Sequence, residues 1–401
     1  MPRIMRKESL LLVVLAIVQF THIVDFMIIM PLGKQFMHIF EINPQQFSLL
    51  VSAYAFSAFL AGLVSAMFID RFDRKQALLF LYIGFMIGTV ACGLANDYHF
   101  FLAARAVTGA FGGTLGAMIL AIVGDVVPLE RRGAAMGWVM MAFSVASVVG
   151  VPAGIFLASA FGVRAPFFSL GIIAVAITFL IYFVVPVLRG HMEGQAGKAH
   201  PKPKEIIGAI AHNPNQRLAL LFTLTLMLGH FTIIPFIAPY MQLNIGFGDG
   251  QIGLVYTFGG LMTVVCLPLF GRLADRFGHA RVFAIASFFA LFSIFAITNL
   301  PPVSMAIALV ATSSFFVVAS GRNVPATTMI TAVVKPENRG SFLSIRQSVN
   351  QAGLALSSFI AGSIITERPD GSLENYQLVG YLAIGMSIVA ILLARRLRVI
   401  A

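Results

Sequence analysis

Twelve apolar stretches, separated mostly by short charged or turn-forming segments, run the length of the chain, and this pattern leaves few folds open. A helix needs about 20 apolar residues to cross about 30 Å of hydrocarbon. The stretches lie near 9–30, 46–69, 76–95, 99–123, 134–160, 166–188, 216–241, 250–270, 281–299, 303–333, 341–365 and 377–394. No polar domain fits between them. The composition agrees, with 59% apolar and 11% charged residues, against about 45–50% and about 25% in a soluble domain. Disorder is excluded by the apolar content. A disulfide scaffold is excluded by the two cysteines, Cys92 and Cys266, which both lie within apolar stretches. The first stretch follows Arg3, Arg6 and Lys7 as a signal peptide would. It is too long for one, and no small-residue cleavage site precedes Lys34, so it reads as a retained span. The expected fold class is an all-α membrane protein of twelve transmembrane helices.

The formal net charge of +11 would suggest nucleic acid in a soluble protein. Its distribution gives a different reading. Of the 27 Lys and Arg, 21 fall in the termini and alternate connections on one side. The opposite side has Lys34, Arg164 and Arg368, and Arg105, Arg322 and Arg346 lie inside spans. The positive-inside rule then makes both termini cytoplasmic, in a multi-pass protein of an inner (plasma) membrane. No nucleic-acid partner is implied.

The connection from Arg189 to Gln216 is long and polar, and its Gly, Pro and Lys content reads as a flexible linker. The chain divides there into an N-terminal six-helix bundle (1–188), a linker (189–215) and a C-terminal six-helix bundle (216–401). The halves repeat. Asp70-Arg71-Phe72 returns as Asp275-Arg276-Phe277, Arg132-Gly133 as Arg339-Gly340, and His22 with Pro31 as His230 with Pro239. Duplicated bundles of this kind place a substrate site near the bilayer midplane.

Among the 16 acidic residues, Asp25 alone lies deep within a span. A bare carboxylate in hydrocarbon is costly, so binding and releasing a proton is its natural chemistry. Arg105 lies at a similar depth in the outer half and is expected to pair with Asp25 when the acid is charged. Thr21 and His22 precede Asp25 by about one helical turn on the same face. Arg322, beside Asn323 and Pro325, cannot reach the surface and is expected to face a cavity. Arg346 is near enough to a span end to snorkel. Gln347, Asn350 and Gln351 continue a polar face.

The turn after the second span reads Ala66-Met-Phe-Ile-Asp70-Arg71-Phe72-Asp73-Arg74-Lys75, and its second copy reads Gly271-Arg-Leu-Ala-Asp275-Arg276-Phe277-Gly278. Span 4 carries Arg105-Ala-Val-Thr-Gly109, and span 5 carries Gly150-Val151-Pro152-Ala153-Gly154. Together these resemble three signatures of the major facilitator superfamily, within its drug and small-solute:proton antiporter branch. The resemblance implies an Asp70–Arg74–Asp125 gate, with Arg71, Asp275 and Arg276 as its charged neighbours and repeat partners. It implies a proton-coupling role for Arg105, and an antiporter motif at Gly150, Pro152 and Gly154. It also implies that His22 and His230 border a central cavity, and Thr21, Arg322, Gln347 and Asn350 are expected to line a substrate cavity with them. Asp73 replaces a glycine of the pattern with a charge.

Three transport functions fit. The first is a proton-coupled antiporter exporting small amphipathic or drug-like solutes, with the proton as coupling ion and no cofactor. The second is a divalent-metal exporter that uses His22, Asp25 and His230 as ligands. The third is a carrier of anionic or lipid-like solutes, favoured by three interior arginines against one carboxylate. No nucleotide-binding glycine loop and no catalytic constellation stands out, so an enzyme is not expected. The expected partners are a small-molecule substrate and the bilayer, and the expected state is a monomer.

Overall fold

The computed structural model describes residues 6–65, 72–189, 208, 210–334 and 339–398. Within them the chain is almost wholly helical. The first half contains α1 (Arg6–Ile28), α2 (Gly33–Ile39), α3 (Pro44–Ser65), α4 (Arg74–Leu94), α5 (Tyr98–Val126), α6 (Leu129–Val145), α7 (Val151–Phe161) and α8 (Ala165–Val184). The second contains α9 (Pro214–Phe231), α10 (Ile234–Tyr240), α11 (Asp249–Phe277), α12 (His279–Thr298), α13 (Met305–Gly321), α14 (Asn323–Thr331), α15 (Arg339–Ile364) and α16 (Tyr376–Arg396). A two-residue ladder, β1 (Thr366–Glu367) with β2 (Leu373–Glu374), pairs antiparallel before α16. The Asn244 amide clasps this hairpin, donating to the Leu373 carbonyl at 2.7 Å and accepting from the Leu373 N–H at 3.0 Å.

Helix starts follow local chemistry. The Asp97 side chain accepts from the Phe100 N–H, and Asn213 accepts from the N–H groups of Asn215 and Gln216 ahead of Pro214. These caps satisfy backbone donors that have no intrahelical partner. Several spans are interrupted. Between α6 and α7 the residues Ala146–Gly150 form a wide π turn. It lies directly before Pro152, which has no N–H to donate to the preceding turn. A second π turn, Met241–Ile245, follows α10.

Eleven helical stretches among the described residues are long and apolar enough to cross a membrane. The sequence pattern suggested twelve. The helix expected over 341–365 is present as α15, but Arg346, Gln347, Asn350, Gln351 and several serines lower its apolarity. Of the connection 189–215, residues 190–207 and 209 lie outside the described residues, while 210–212 are helical.

The described residues form two compact units. The first holds those up to Ile28 and those of 53–200; the second holds those of 29–52 and 201–401. The segment 29–52 was assigned by sequence to the first bundle. In the structure it belongs with the second unit, for identifiable reasons. Ser52 Oγ donates to the Ala355 carbonyl at 3.0 Å, and the Phe47 and Phe236 rings meet edge to face at 5.6 Å. The Asp249 carboxylate accepts from Gln35 Nε2 at 2.9 Å and from Gln242 Nε2 at 2.7 Å.

The first unit's core joins Val14, Leu15 and Val18 of α1 to Leu78, Tyr82 and Phe85 of α4, Leu115 and Ile119 of α5, and Ile177 and Ile181 of α8. The second unit's core joins Ala219, Phe222 and Leu226 of α9 to Phe283, Ile330, Phe342 and Ala390. Both cores are aliphatic and aromatic, so their cohesion inside a bilayer comes from close packing rather than from exclusion of water.

Candidate functional site

In the first unit, α1 ends within four residues of Asp25, so the Asp25 carbonyl is among the last four of its helix and lacks an intrahelical partner. Arg105 of α5 supplies one. Its Nη1 lies 3.4 Å from the Asp25 carbonyl and 2.8 Å from Asp25 Oδ2. Thr89 of α4 donates to Asp25 Oδ1 at 3.1 Å. Both members of the ion pair are fully buried. The guanidinium also lies over the Tyr54 ring of α3, 4.6 Å from its centroid, a favourable placement for a desolvated cation. Four helices therefore converge on one ion pair.

The spacing of Arg105 and Gly109 has a structural reason. A Cβ built on Gly109 would strike the Tyr54 backbone. The glycine therefore lets α5 lie directly on α3, and this close approach brings Arg105 under the Tyr54 ring. Gly150 and Gly154 act similarly on α1, where added Cβ atoms would strike Val24 and Ile28. The span-5 motif thus seats the helix that carries Asp25. Chemically, the pair has two states. With Asp25 ionised the two charges cancel; with Asp25 protonated the carboxylate charge is gone and Arg105, which stays protonated, is left uncompensated.

In the second unit the break between α9 and α10 leaves several backbone carbonyls to be satisfied. Thr232 Oγ1 donates to the Leu228 carbonyl at 2.8 Å, and Tyr376 Oη donates to the Ile233 carbonyl at 3.1 Å. Arg322, at the break between α13 and α14, donates from Nη2 to the Gly229 carbonyl at 3.0 Å and from Nη1 to Ser387 Oγ at 2.9 Å. It is 1% exposed. His230, beside this carbonyl, is buried and stacks on Phe315 at 5.9 Å and 18°.

The other sequence-selected residues separate into those that are engaged and those that are not. Thr21, expected in a substrate cavity, is buried in packing instead, 3.0 Å from the Tyr82 hydroxyl. His22 is half-buried, with its ring edge to face with Phe85 at 6.4 Å. Arg346 donates to Thr327 Oγ1 at 3.1 Å. Gln347 is exposed and Asn350 half-buried, and neither makes a side-chain hydrogen bond among the described residues. Arg74, almost fully buried, pairs with Asp125 at 2.8 Å. Asp70 and Arg71 lie outside the described residues. In the second copy, Asp275 is exposed and 3.7 Å from His279 Nε2, while Arg276 covers the Phe277 ring at 5.3 Å. Asp73, the departure from the family pattern, has a clear task. It caps α4 through the Lys75 and Gln76 N–H groups, accepts from the Leu188 N–H at 3.0 Å, and lies 3.6 Å from Arg189. No group of three His, Cys, Asp or Glu among the described residues is placed to hold a metal ion.

A family model described as Major Facilitator Superfamily matches residues 15–234 and again residues 219–400. The chain belongs to the major facilitator superfamily. It is accordingly a multi-pass membrane transporter of small molecules rather than an enzyme. Multidrug resistance protein 2 of Bacillus subtilis (strain 168) is 25% identical over 64% of this chain. That match spans 64% of the relative's own length, under two thirds of it. An uncharacterized MFS-type transporter of the same organism is 25% identical over 91% of this chain and 85% of its own length. Among solved structures, a D-xylose-proton symporter superposes with a TM-score of 0.76 at 14% identity, covering 95% of this chain and 97% of that one. An inward-facing bacterial homologue of the human lysosomal transporter Spinster gives 0.72 at 19% identity, covering 98% and 95%. At these identities the structures show the superfamily fold alone.

Two residues of this transporter's site were not singled out by sequence: Thr89 and Tyr54. Thr89 lies five residues before the Leu94 end of α4, at the level of Asp25, and depth counting would have found it. Tyr54 carries no such signal, because its part depends on Gly109 letting two helices touch.

Proposed function

We propose that the chain is a proton-coupled secondary transporter that exports small amphipathic solutes in exchange for protons. The observation that supports this reading is the Asp25–Arg105 pair. It holds the one carboxylate buried inside a span among the described residues, tied by Thr89 and capped by the Tyr54 ring. Protonation switches the net charge of this buried site between zero and plus one, and a charge change in low dielectric shifts the balance between two conformations. Export is supported by the Gly150-Pro152-Gly154 motif and by two relatives, one named a multidrug resistance protein and the other a probable sugar efflux transporter. The Arg74–Asp125 pair, at facing ends of α4 and α5, acts as a cytoplasmic latch that opens and closes during the cycle. Cytoplasmic termini follow from the charge asymmetry. The metal reading is not favoured, since Asp25 already accepts from Arg105 and Thr89.

The test uses proteoliposomes loaded with substrate under an imposed pH gradient. Asp25→Asn is expected to abolish gradient-driven transport while binding affinity changes by less than about threefold. Gradient-driven transport that persists in this variant overturns the coupling role.

A further inference from the structure

We propose that Arg322, His230 and Tyr256 form an anion-recognition site within the second unit, and that the cargo is an organic anion with an aromatic or similarly flat apolar body. The proposal rests on the transport reading above and names its substrate class.

Arg322 is a permanent cation in a fully buried position, and among the described residues no carboxylate pairs with it. Its two terminal nitrogens donate to neutral oxygens, and its Nε has no hydrogen-bond partner. Buried polar groups are normally paired, and a buried charge is more demanding still. The described acids of the second unit do not serve it. Asp249 is held by Gln35 and Gln242, Asp275 is exposed beside His279, Glu374 pairs with Arg368 in the hairpin, and Glu41, Glu367 and Asp370 are exposed.

Two more buried polar atoms share this condition. His230 Nδ1 and Tyr256 Oη are buried with no hydrogen-bond partner. His230 follows directly on Gly229, whose carbonyl Arg322 grips. Ring contacts link His230 to Phe315 at 5.9 Å, Phe315 to Phe316 at 5.7 Å, and Phe316 to Tyr256 at 5.8 Å. A chain of ring contacts thus links His230 to Tyr256, with an uncompensated guanidinium at the histidine end. Aromatic rings suit a flat apolar body, and N–H and O–H donors suit a carboxylate, sulfonate or phosphate group.

The test is isothermal titration calorimetry on the purified, detergent-solubilised full chain with three probes of matched shape: naphthoate, naphthalenemethanol and naphthylmethylammonium. Naphthoate is expected to bind at least about tenfold more tightly than the other two. Arg322→Gln is expected to erase that preference, and Arg322→Lys to keep part of it. Tyr256→Phe and His230→Phe each weaken naphthoate several-fold without changing naphthalenemethanol, which keeps the test decisive where Arg322→Gln fails to fold. Asp25→Asn is expected to keep the full preference, so loss of pH-driven transport in that variant is read separately from anion recognition. Equal affinity for the three probes, preference for the cation, absence of heat with all of them, or a preference that survives in Arg322→Gln overturns the proposal.

Discussion

Each unit buries one arginine against the end of an interrupted helix, and the two arginines balance their charge differently. Arg105 satisfies a terminal carbonyl of α1 and meets the carboxylate of the same residue. Arg322 satisfies a terminal carbonyl of α9 and meets a serine hydroxyl. The backbone problem is the same in both cases: a helix that stops inside apolar surroundings leaves acceptors without donors, and a long planar cation on a neighbouring helix reaches them. The electrostatic outcome is opposite. The first site balances its own charge and, under the proposed function, responds to a proton. The second holds a positive charge in reserve, and under our proposal it responds to cargo. The difference shows that the mechanical use of an intramembrane arginine and its electrostatic use are separable.

Removing Arg105 is the most severe way to break the comparison. Arg105→Ala leaves Asp25 buried without its partner and is expected to cost about 3–5 kcal/mol, read as a lowered unfolding midpoint in detergent. Adding Asp25→Asn to that variant is expected to recover most of the loss. Arg322→Ala leaves no stranded carboxylate and is expected to cost about 1–3 kcal/mol, the scale of unsatisfied buried acceptors. Equal losses at the two positions would mean that Arg322 has a countercharge after all. A third change sharpens the contrast by supplying the missing acid. Ser387→Asp puts a carboxylate where Arg322 now meets a hydroxyl, and it is expected to lower naphthoate affinity about tenfold, or about 1.4 kcal/mol, in the same titration. The smallest effect concerns the repeated turn, where Asp73 in the first copy corresponds to Gly278 in the second. Asp73 caps α4 with its side chain, whereas Gly278 enters α12 at a φ of +90°, a conformation other residues adopt only with strain. Asp73→Ala is expected to cost about 1 kcal/mol, measured as a thermal shift, and the loss exposes the Leu188 N–H as well.

Much of this was readable before any coordinates, and the limits have physical reasons. Apolar length and charge placement determine the spans because lipid leaves a chain few options. The Asp25–Arg105 pair could be inferred because two opposite charges at one depth must meet or be very costly. The partners of Arg322 could not be inferred, since a backbone carbonyl freed by a helix break has no residue letter. Thr21 was read as facing a cavity from its position one turn from Asp25, yet it turns into the packed face of α1 toward Tyr82. Helical spacing places a residue on a face without saying what that face touches. The grouping of 29–52 with the second unit was likewise hidden, because it depends on contacts such as Ser52 with Ala355 that join distant parts of the chain.

The wide turn at Ala146–Gly150 has a consequence for how this span can vary in length. It accommodates one residue more than a regular α-helix would over the same rise. Drawing the same residues into a regular α-helix would rotate everything after the turn by about 100°. Gly154 would then swing away from Ile28, and a neighbouring side chain would take its place against α1. Deleting one residue within the turn removes the surplus and keeps that face, so this span tolerates a one-residue loss there better than in its regular turns.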